Sequence, residues 1–278
     1  MTPLSPASPA PLVVSIDGVG LLGPGMDHWE EGRRQLAGLA PARPQKTVLP
    51  APAALPPAER RRAGAMVKLA LAVGLEALQA AGLEAAQVPS VFASSGGDGL
   101  NCHEMCVALA SPDKFISPTR FHNSVHNAAS GYWGIATGSM ATSSVLCAYD
   151  GSFAAGLLEA VAQAVVDGVP VLLLAYDTDY PEPLHSARPV PDTFGVALIL
   201  APQRSARSLA RCTLHGDACF TGDPADQLAD PMLEPLRRGI PAARSLPLLR
   251  AVATQQAGRV VLDYLDGLQL ALEIAPCA

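Results

Sequence analysis

A cysteine lies at the point where a buried strand, predicted over residues 142–147, turns into a helix predicted over 152–167. The connecting residues from Cys147 onward are CAYDGS. Backbone N–H groups and the dipole at a helix N-terminus stabilise a thiolate, so Cys147 is a candidate nucleophile and Ser152 a second one. The alternative is structural, because a cysteine often ends a buried strand and a serine often caps a helix.

Histidines and asparagines alternate just before this turn, in the string HNSVHNAASGYWG that begins at His122. Two imidazoles four residues apart can act as acid and base on one helical face. The same side chains can instead order a loop or an interface, and tyrosine and tryptophan favour interfaces. We expect interface contacts from His122, Asn123, His126, Asn127, Tyr132 and Trp133.

Two cysteines and two histidines have nearly the spacing of a small zinc module. Cys102 and Cys106 are separated by three residues, as are His122 and His126, and fifteen residues lie between the pairs. Zinc modules of this type are small autonomous units, whereas this pattern lies inside a long alternation of strands and helices. We therefore predict that the cysteines are small packing residues on one turn of a helix, and we expect no metal.

A glycine-rich turn, SGGDG at 95–99, follows a predicted strand and opens a predicted helix, as phosphate-binding loops do. It matches neither common nucleotide-binding pattern, and no lysine follows closely. The turn is predicted to be a tight structural turn, and we expect no cofactor.

The composition excludes several classes of protein. The 278 residues are 49% hydrophobic and 16% charged, with a net charge of -6, whereas a typical soluble domain is roughly a quarter charged. This balance excludes wholesale disorder and offers no basic footprint for nucleic acid. Six cysteines are too few for a disulfide scaffold. Either the core is unusually large, or a partner covers apolar surface.

The N-terminus carries no signal-peptide pattern and no apolar run is long enough to cross a membrane, so we expect a cytoplasmic protein without a membrane span. Residues 1–11 are rich in proline, serine and alanine and are predicted to be a disordered leader.

Continuous apolar runs and helical periodicity alternate up to about residue 200, which predicts an α/β fold with a sheet between helices. Strands are predicted at 12–16, where Asp17 and Gly18 end the first, and at 91–94, 171–175 and 195–200. A helix is predicted over 60–81, ended by Gly82. Two further strands, 259–265 and 268–274, flank an Asp-Gly turn and predict a terminal hairpin.

The order of these elements, with the strings FHNSVHNAASGYWGIATG and CAYDGSFAAGLLEA, resembles the N-terminal half of β-ketoacyl synthases, which have the thiolase fold. Within that family the two strings resemble the short chain-length-factor-like proteins of aryl-polyene and related pigment clusters. The resemblance implies a layered α/β/α fold, with a complete N-terminal half at 12–200 and a reduced C-terminal half at 201–278. It covers residues 12–210 best.

The chain departs from active ketosynthases at the positions that carry catalysis. Such enzymes have a cysteine three residues before a glycine at the turn; here Gly151 follows Ala148 by three residues, and Cys147 is one position early. Active members also supply two histidines and a lysine from the C-terminal half, but this chain has no lysine after Lys114. Decarboxylative condensation needs both the thiolate and the imidazoles. The resemblance therefore implies no catalytic residue here and a degenerate nucleophile position at Ala148.

We accordingly expect a non-catalytic subunit that pairs with an active β-ketoacyl-ACP synthase and shapes its acyl tunnel, with acyl carrier protein reached through the complex. In thiolase folds the dimer forms around the strand and helix before the turn, which places residues 122–144 at the interface by resemblance. One alternative is an acyl transferase or thioesterase that uses Cys147 with His122 or His126 as the base. Another is a homodimeric binding module with no synthase partner.

Overall fold

The computed structural model describes residues 10–43 and 45–277. Of the leader predicted at 1–11, residues 1–9 lie outside the described residues. The described residues form one mixed sheet in the order β3-β2-β4-β5-β1-β6-β9-β7, with β8 paired to β9. Its strands are β1 (Leu12–Leu22), β2 (Ser90–Ala93), β3 (Ser143–Leu146), β4 (Val171–Asp177), β5 (Phe194–Ala201), β6 (Ala210–Leu214), β7 (Phe220–Thr221), β8 (Gly258–Leu265) and β9 (Leu268–Pro276).

The α-helices cover both faces of this sheet, which gives the layered α/β/α architecture that the sequence predicts. They are α1 (Trp29–Leu36), α2 (Pro57–Arg62), α3 (Ala65–Ala81), α4 (Gly99–Ala110), α5 (Pro118–His122), α6 (Ala128–Thr137), α7 (Ser152–Asp167), α8 (Leu184–Ala187), α9 (Leu233–Gly239) and α10 (Leu246–Thr254). Helices α3 and α6 pack on one face, and α7 and α10 pack on the other.

Strand β4 shows how the continuous apolar runs divide between the two layers. All seven of its residues are buried. Because side chains alternate along a strand, Val171 and Leu173 enter the core beside α7, whereas Leu172 and Leu174 enter the core beside α3. Such a strand has no polar face, which is why its sequence shows no alternation.

Close packing of β1 against α3 depends on glycine. A Cβ atom added to Gly20 would lie 1.9 Å from the carbonyl oxygen of Val73, and one added to Gly18 would lie 2.2 Å from that of Ala77. Both obstacles are backbone atoms of α3, which cannot turn aside as a side chain can. These two glycines therefore set the distance between the strand and the helix.

The prediction that Asp17 and Gly18 end the first strand is wrong. The strand continues to Leu22, and its register against β5 shifts between Ile16 and Gly18, as at a β-bulge. The Asp17 carboxylate accepts hydrogen bonds from the hydroxyls of Ser205 and Ser208, each at 2.6 Å. These long-range partners satisfy a carboxylate that the local sequence suggests is a turn residue.

The extent of one helix and the burial of one strand also differ from prediction. The helix predicted over 60–81 is two helices, α2 and α3, because Ala63 and Gly64 have extended backbone conformations. Strand β3 forms where predicted, but it is not buried: Ser143 is exposed and the other three residues are only partly covered. The apolar residues of this segment predict a buried strand, but β3 is an edge strand of the described sheet, so one of its edges is open.

Candidate functional site at the elbow between β3 and α7

The turn between β3 and α7, called the elbow here, runs through Cys147, Ala148 and a short 3₁₀ segment, Tyr149–Gly151. Ser152 is 2% exposed. Its hydroxyl accepts from the Ala148 N–H at 3.0 Å and donates to the Tyr149 carbonyl at 2.7 Å. Both bonds hold the turn, so Ser152 is a structural residue rather than a nucleophile.

Cys147 is exposed, and its thiol donates a hydrogen bond to the carbonyl oxygen of Ser95 at 3.2 Å. The side chain therefore leaves the elbow toward the glycine-rich turn at 95–99. Ala148, which the resemblance places at the nucleophile position of active ketosynthases, is partly exposed and contributes only a methyl group. A methyl group cannot form a thioester.

A buried carboxylate binds the first residue of the glycine-rich turn. Asp177, at the end of β4, accepts from the N–H and the hydroxyl of Ser95 at 2.9 and 2.6 Å, and from the N–H of Ala242 at 2.8 Å. Burial raises the pKa of Asp177 to about 6, against the opposing effect of these hydrogen bonds. The carboxylate thus ties the turn to residues near the N-terminus of α10.

Tyr180 and His126 pack against the same turn. A Cβ added to Gly96 would lie 2.4 Å from the Tyr180 hydroxyl, and Gly97 has a positive φ of 70°. Nε2 of His126 lies 3.2 Å from the carbonyl oxygen of Ser94. The glycines therefore permit a tight turn and the approach of an aromatic ring, in agreement with a structural turn.

The predicted interface residues separate into exposed and buried groups. His122 and Asn127 are exposed, while Asn123 and His126 are partly exposed. Tyr132 and Trp133 are each 2% exposed and lie in the core beside α3. The rings of these two aromatic residues are covered within the chain, and the interface contacts expected of the six residues stay a prediction.

Each buried aromatic residue has a distinct role in holding α6. The Tyr132 hydroxyl donates to the side-chain oxygen of Asn123 at 3.2 Å, and the Asn123 amide donates to the Arg62 carbonyl at 2.9 Å. This chain of contacts joins α6, α5 and α2. Trp133 stacks edge-on against Phe92, with 6.2 Å between ring centroids, and occupies space that a side chain at Gly74 would fill.

The spacing of Cys102, Cys106, His122 and His126 does not assemble a metal site. Among residues 10–43 and 45–277, no three or more His, Cys, Asp or Glu side chains gather as metal ligands would. Cys102 and Cys106 are both exposed on α4, so the prediction that they are buried packing residues is wrong. His126 instead contacts the glycine-rich turn.

No hydrogen bond joins Cys147 to His122 or to His126 in the described part of the chain. His215, which follows the elbow in the sequence, has another partner: its Nε2 lies 3.1 Å from the Glu273 carboxylate, on the exposed side of β9. The elbow as described thus presents a thiol without a paired base.

Sequence reasoning missed a network of ion pairs beside the elbow. Asp150 contacts Arg188 at 2.7 Å and Arg244 at 3.0 Å. Arg244 also contacts Asp263 at 3.7 Å, and Asp263 contacts Arg237 at 2.6 Å. The paired residues lie far apart in the sequence, so no local pattern predicts their contacts. The only signal in the sequence is a high density of arginine after residue 200.

The family is decided by a match over most of the chain. The model of the β-ketoacyl synthase N-terminal domain matches residues 29–256. The chain belongs to this family. Its fold is the thiolase-like ketosynthase fold, as the resemblance implied. None of the helices in the described part combines the length and the hydropathy needed to cross a membrane.

Solved structures share this fold at low sequence identity. A ketosynthase, ApeO, in complex with its chain length factor, ApeC, from Xenorhabdus doucetiae matches with a TM-score of 0.69 and 23% identity, over 94% of this chain and 99% of that chain. The ishigamide ketosynthase/chain length factor matches with a TM-score of 0.66 and 15% identity, over 97% of this chain and 100% of that chain.

A third match is the complex AntDE:AntF, a type II polyketide synthase acyl-carrier protein with its ketosynthase bound to the hexaketide. Its TM-score is 0.74 at 13% identity, over 95% of this chain and 99% of that chain. No curated protein sequence matches the chain.

Proposed function

We propose that this chain is a non-catalytic ketosynthase-like subunit of the chain-length-factor type, which pairs with an active β-ketoacyl-ACP synthase and shapes its acyl tunnel. The observation that carries the proposal is the concentration of exposed apolar side chains at 100–149. In the described residues this segment supplies nine of the fifteen large hydrophobic side chains that are exposed: Leu100, Val107, Leu109, Phe115, Phe121, Val125, Ile135, Met140 and Tyr149.

The 100–149 segment is one connected part of the structure. Arg120 on α5 contacts Glu104 on α4 at 3.3 Å, and its carbonyl accepts from the Asn101 amide at 2.9 Å. The rings of His122 and Tyr132 meet edge-on, with centroids 6.2 Å apart, which joins α5 to α6. A concentration of exposed apolar side chains on one connected part of a structure is typical of protein interfaces. A partner that covers this apolar surface would also account for a charged fraction of only 16%.

Strand β3 supports the same assignment. It is the first strand in the sheet order and pairs only with β2 among the described residues. An open, partly apolar edge strand offers unpaired backbone groups to another chain. We expect a ketosynthase subunit to cover this edge, so that the exposed Ser143 and its neighbours become buried.

The elbow supports a role without catalysis. Ala148 offers no nucleophile, and the Cys147 thiol donates to a backbone carbonyl rather than to a base. In the proposal, residues 12–200 form the ketosynthase-like half, residues 201–278 form a reduced half, and the partner supplies the catalytic groups. We place the complex in the cytoplasm, in aryl-polyene or related polyketide or fatty-acyl biosynthesis, with acyl carrier protein delivering substrates to it.

Co-purification tests this pairing. The tagged chain is co-expressed with an active β-ketoacyl-ACP synthase from the same organism, and the complex is measured by size-exclusion chromatography with light scattering. We expect a one-to-one heterodimer, which Val125→Glu and Ile135→Glu disrupt because each would bury a charge. The matched control is Val166→Glu, since Val166 is 79% exposed and lies outside the 100–149 segment. Failure of the wild-type proteins to co-purify would refute the proposal.

A second candidate function rests on the exposure of Cys147. Cys147 and His126 contact the carbonyl oxygens of the adjacent residues Ser95 and Ser94, which makes His126 a candidate base for acyl transfer or thioester hydrolysis at Cys147. His122 is the other candidate base. Intact-mass measurement after incubation with an acyl-ACP thioester distinguishes the functions. A stable adduct that Cys147→Ala abolishes would favour the enzyme.

A further inference from the structure

Tyr149 has a backbone conformation that its residue type disfavours. Its φ is 50°, in the left-handed region, where a Cβ atom is crowded. Among the described residues, the other non-glycine residues with positive φ are Lys114 and Gln255. Gln255 ends α10, where this conformation is common. Tyr149 precedes a helix instead, so helix termination does not explain its conformation.

The ring of Tyr149 is held in place on one face. The Arg188 guanidinium carbon lies 3.5 Å from the ring centroid. Arg188 is itself fixed by its ion pair with Asp150 at 2.7 Å, and Asp150 is fixed in turn by Arg244 at 3.0 Å. Because these ion pairs fix the Arg188 side chain, its guanidinium loses little further conformational freedom when it stacks on Tyr149.

The rest of the tyrosine is open. Its exposed fraction is 61%, although Gly151 and Ser152, which follow it at the elbow, are buried. The backbone two residues later is tightly packed against β8, because a Cβ added to Gly151 would lie 1.9 Å from the Tyr264 carbonyl oxygen. This packing leaves the turn little room to move. Strained residues persist where the surrounding structure overdetermines them, and such places are often functional.

An aromatic side chain that is ordered before binding loses little conformational entropy when a partner covers it. Tyr149 comes three residues after Leu146, the last residue of the open edge strand β3, and so continues the 100–149 segment at the elbow. Lys114 shows that strain recurs on this segment: its φ is 49°, and it precedes Phe115, which is 77% exposed.

We infer that Tyr149 is a preformed anchor for the partner ketosynthase subunit, with one ring face stacked on Arg188 and the other left for a residue of the partner. This inference rests on the proposed function. It adds that the degenerate elbow has a second use, because the turn that would hold a nucleophile in an active ketosynthase here presents an aromatic contact.

Binding of the purified ketosynthase to variants of this chain, measured by isothermal titration calorimetry, tests the inference. We expect Tyr149→Ala to raise Kd about tenfold or more, whereas Tyr149→Phe keeps the ring and changes it little. Arg188→Lys keeps the charge opposite Asp150 but loses the planar stack, so an intermediate increase is expected. Leu39→Ala is the control, since Leu39 is 69% exposed and lies outside the segment.

A stability readout separates anchoring from a role within the chain. Tyr149→Gly relieves the positive φ, so it should unfold at a urea concentration no lower than that of Tyr149→Ala while binding equally weakly. Wild-type affinity in Tyr149→Ala, with Ile135→Glu still disruptive, would overturn the anchor and leave the proposed pairing intact. If the wild-type chain binds no ketosynthase, the proposed function itself fails.

Discussion

The carboxylate of Asp177 accepts hydrogen bonds from both the backbone N–H and the hydroxyl of Ser95, at 2.9 and 2.6 Å. The carbonyl of the same serine accepts the thiol of Cys147. A third donor to Asp177, the N–H of Ala242, comes from the segment before α10. One buried charge therefore connects the elbow to the C-terminal part of the chain.

Asp177 is predicted to make the free energy of unfolding fall as the pH rises, which is the opposite of the effect of a carboxylate whose pKa is lowered by folding. Its pKa is raised from 3.8 to about 6, chiefly by burial, so the native state binds this proton more tightly than the unfolded state does. The resulting stabilisation is present below pH 3.8 and is lost as the pH rises through 6. This one group should cost about 2 kcal/mol between pH 4.5 and pH 7.5.

Urea unfolding of the wild type and of Asp177→Asn at both pH values measures this term, because the other titrating groups cancel between the two proteins. The wild type should gain about 2 kcal/mol relative to the variant at the lower pH. A difference between the two proteins that does not change with pH would show that the charge is not buried in solution.

Arg237 is predicted to matter much more than an exposed arginine with a similar partner. Its side chain is 8% exposed, between Glu234 at 2.7 Å and Asp263 at 2.6 Å. Removing it in Arg237→Met takes this cation from Glu234 and leaves Asp263 with its longer contact to Arg244 at 3.7 Å. Because both carboxylates are largely buried, the change should lower the free energy of unfolding by about 3 kcal/mol.

The matched control is Arg33→Met. Arg33 also pairs with a glutamate three residues earlier, Glu30 at 2.6 Å, but its side chain is 40% exposed. A loss of less than about 1 kcal/mol is expected there. Equal losses in the two variants, measured by urea unfolding, would contradict the distinction between buried and exposed pairs.

Gly20→Ala is predicted to disrupt the packing of β1 on α3. The added methyl group would lie 1.9 Å from the Val73 carbonyl oxygen, so the strand and helix must separate, at a cost of about 3 kcal/mol. Gly222→Ala is the control, because nothing lies within 4 Å of the added atom. We expect it to change the urea midpoint little. A stable Gly20→Ala protein would mean that the helix can shift without penalty.

The sequence predicts those elements whose information is local. The apolar runs of β4 and β5 and the Asp-Gly hairpin of β8 and β9 form as predicted, since turn chemistry and periodicity lie within each segment. Gly82 ends α3 with a φ of 67° for the same reason.

Features that depend on distant residues could not be predicted. Asp17 is a strand residue rather than a turn residue because Ser205 and Ser208 bind its carboxylate. Tryptophan is a residue type that favours interfaces, but α3 and Phe92 cover Trp133 within the chain. The Asp150 ion pairs and the strain at Tyr149 likewise arise from contacts across the fold, so no spacing in the sequence reports them.

Thiol labelling provides a map of the proposed interface. Cys102, Cys106 and Cys147 are exposed, and Cys277 is partly exposed. Cys212 is buried, and burial raises the pKa of its thiol to about 12, so its reaction with iodoacetamide in the native protein should be very slow. Binding of the ketosynthase should protect Cys102 and Cys106, which lie on α4 within the 100–149 segment, and leave Cys277 outside it unprotected. Peptide mass spectrometry of the chain with and without its partner measures each site, and protection at Cys277 but not at α4 would place the interface elsewhere.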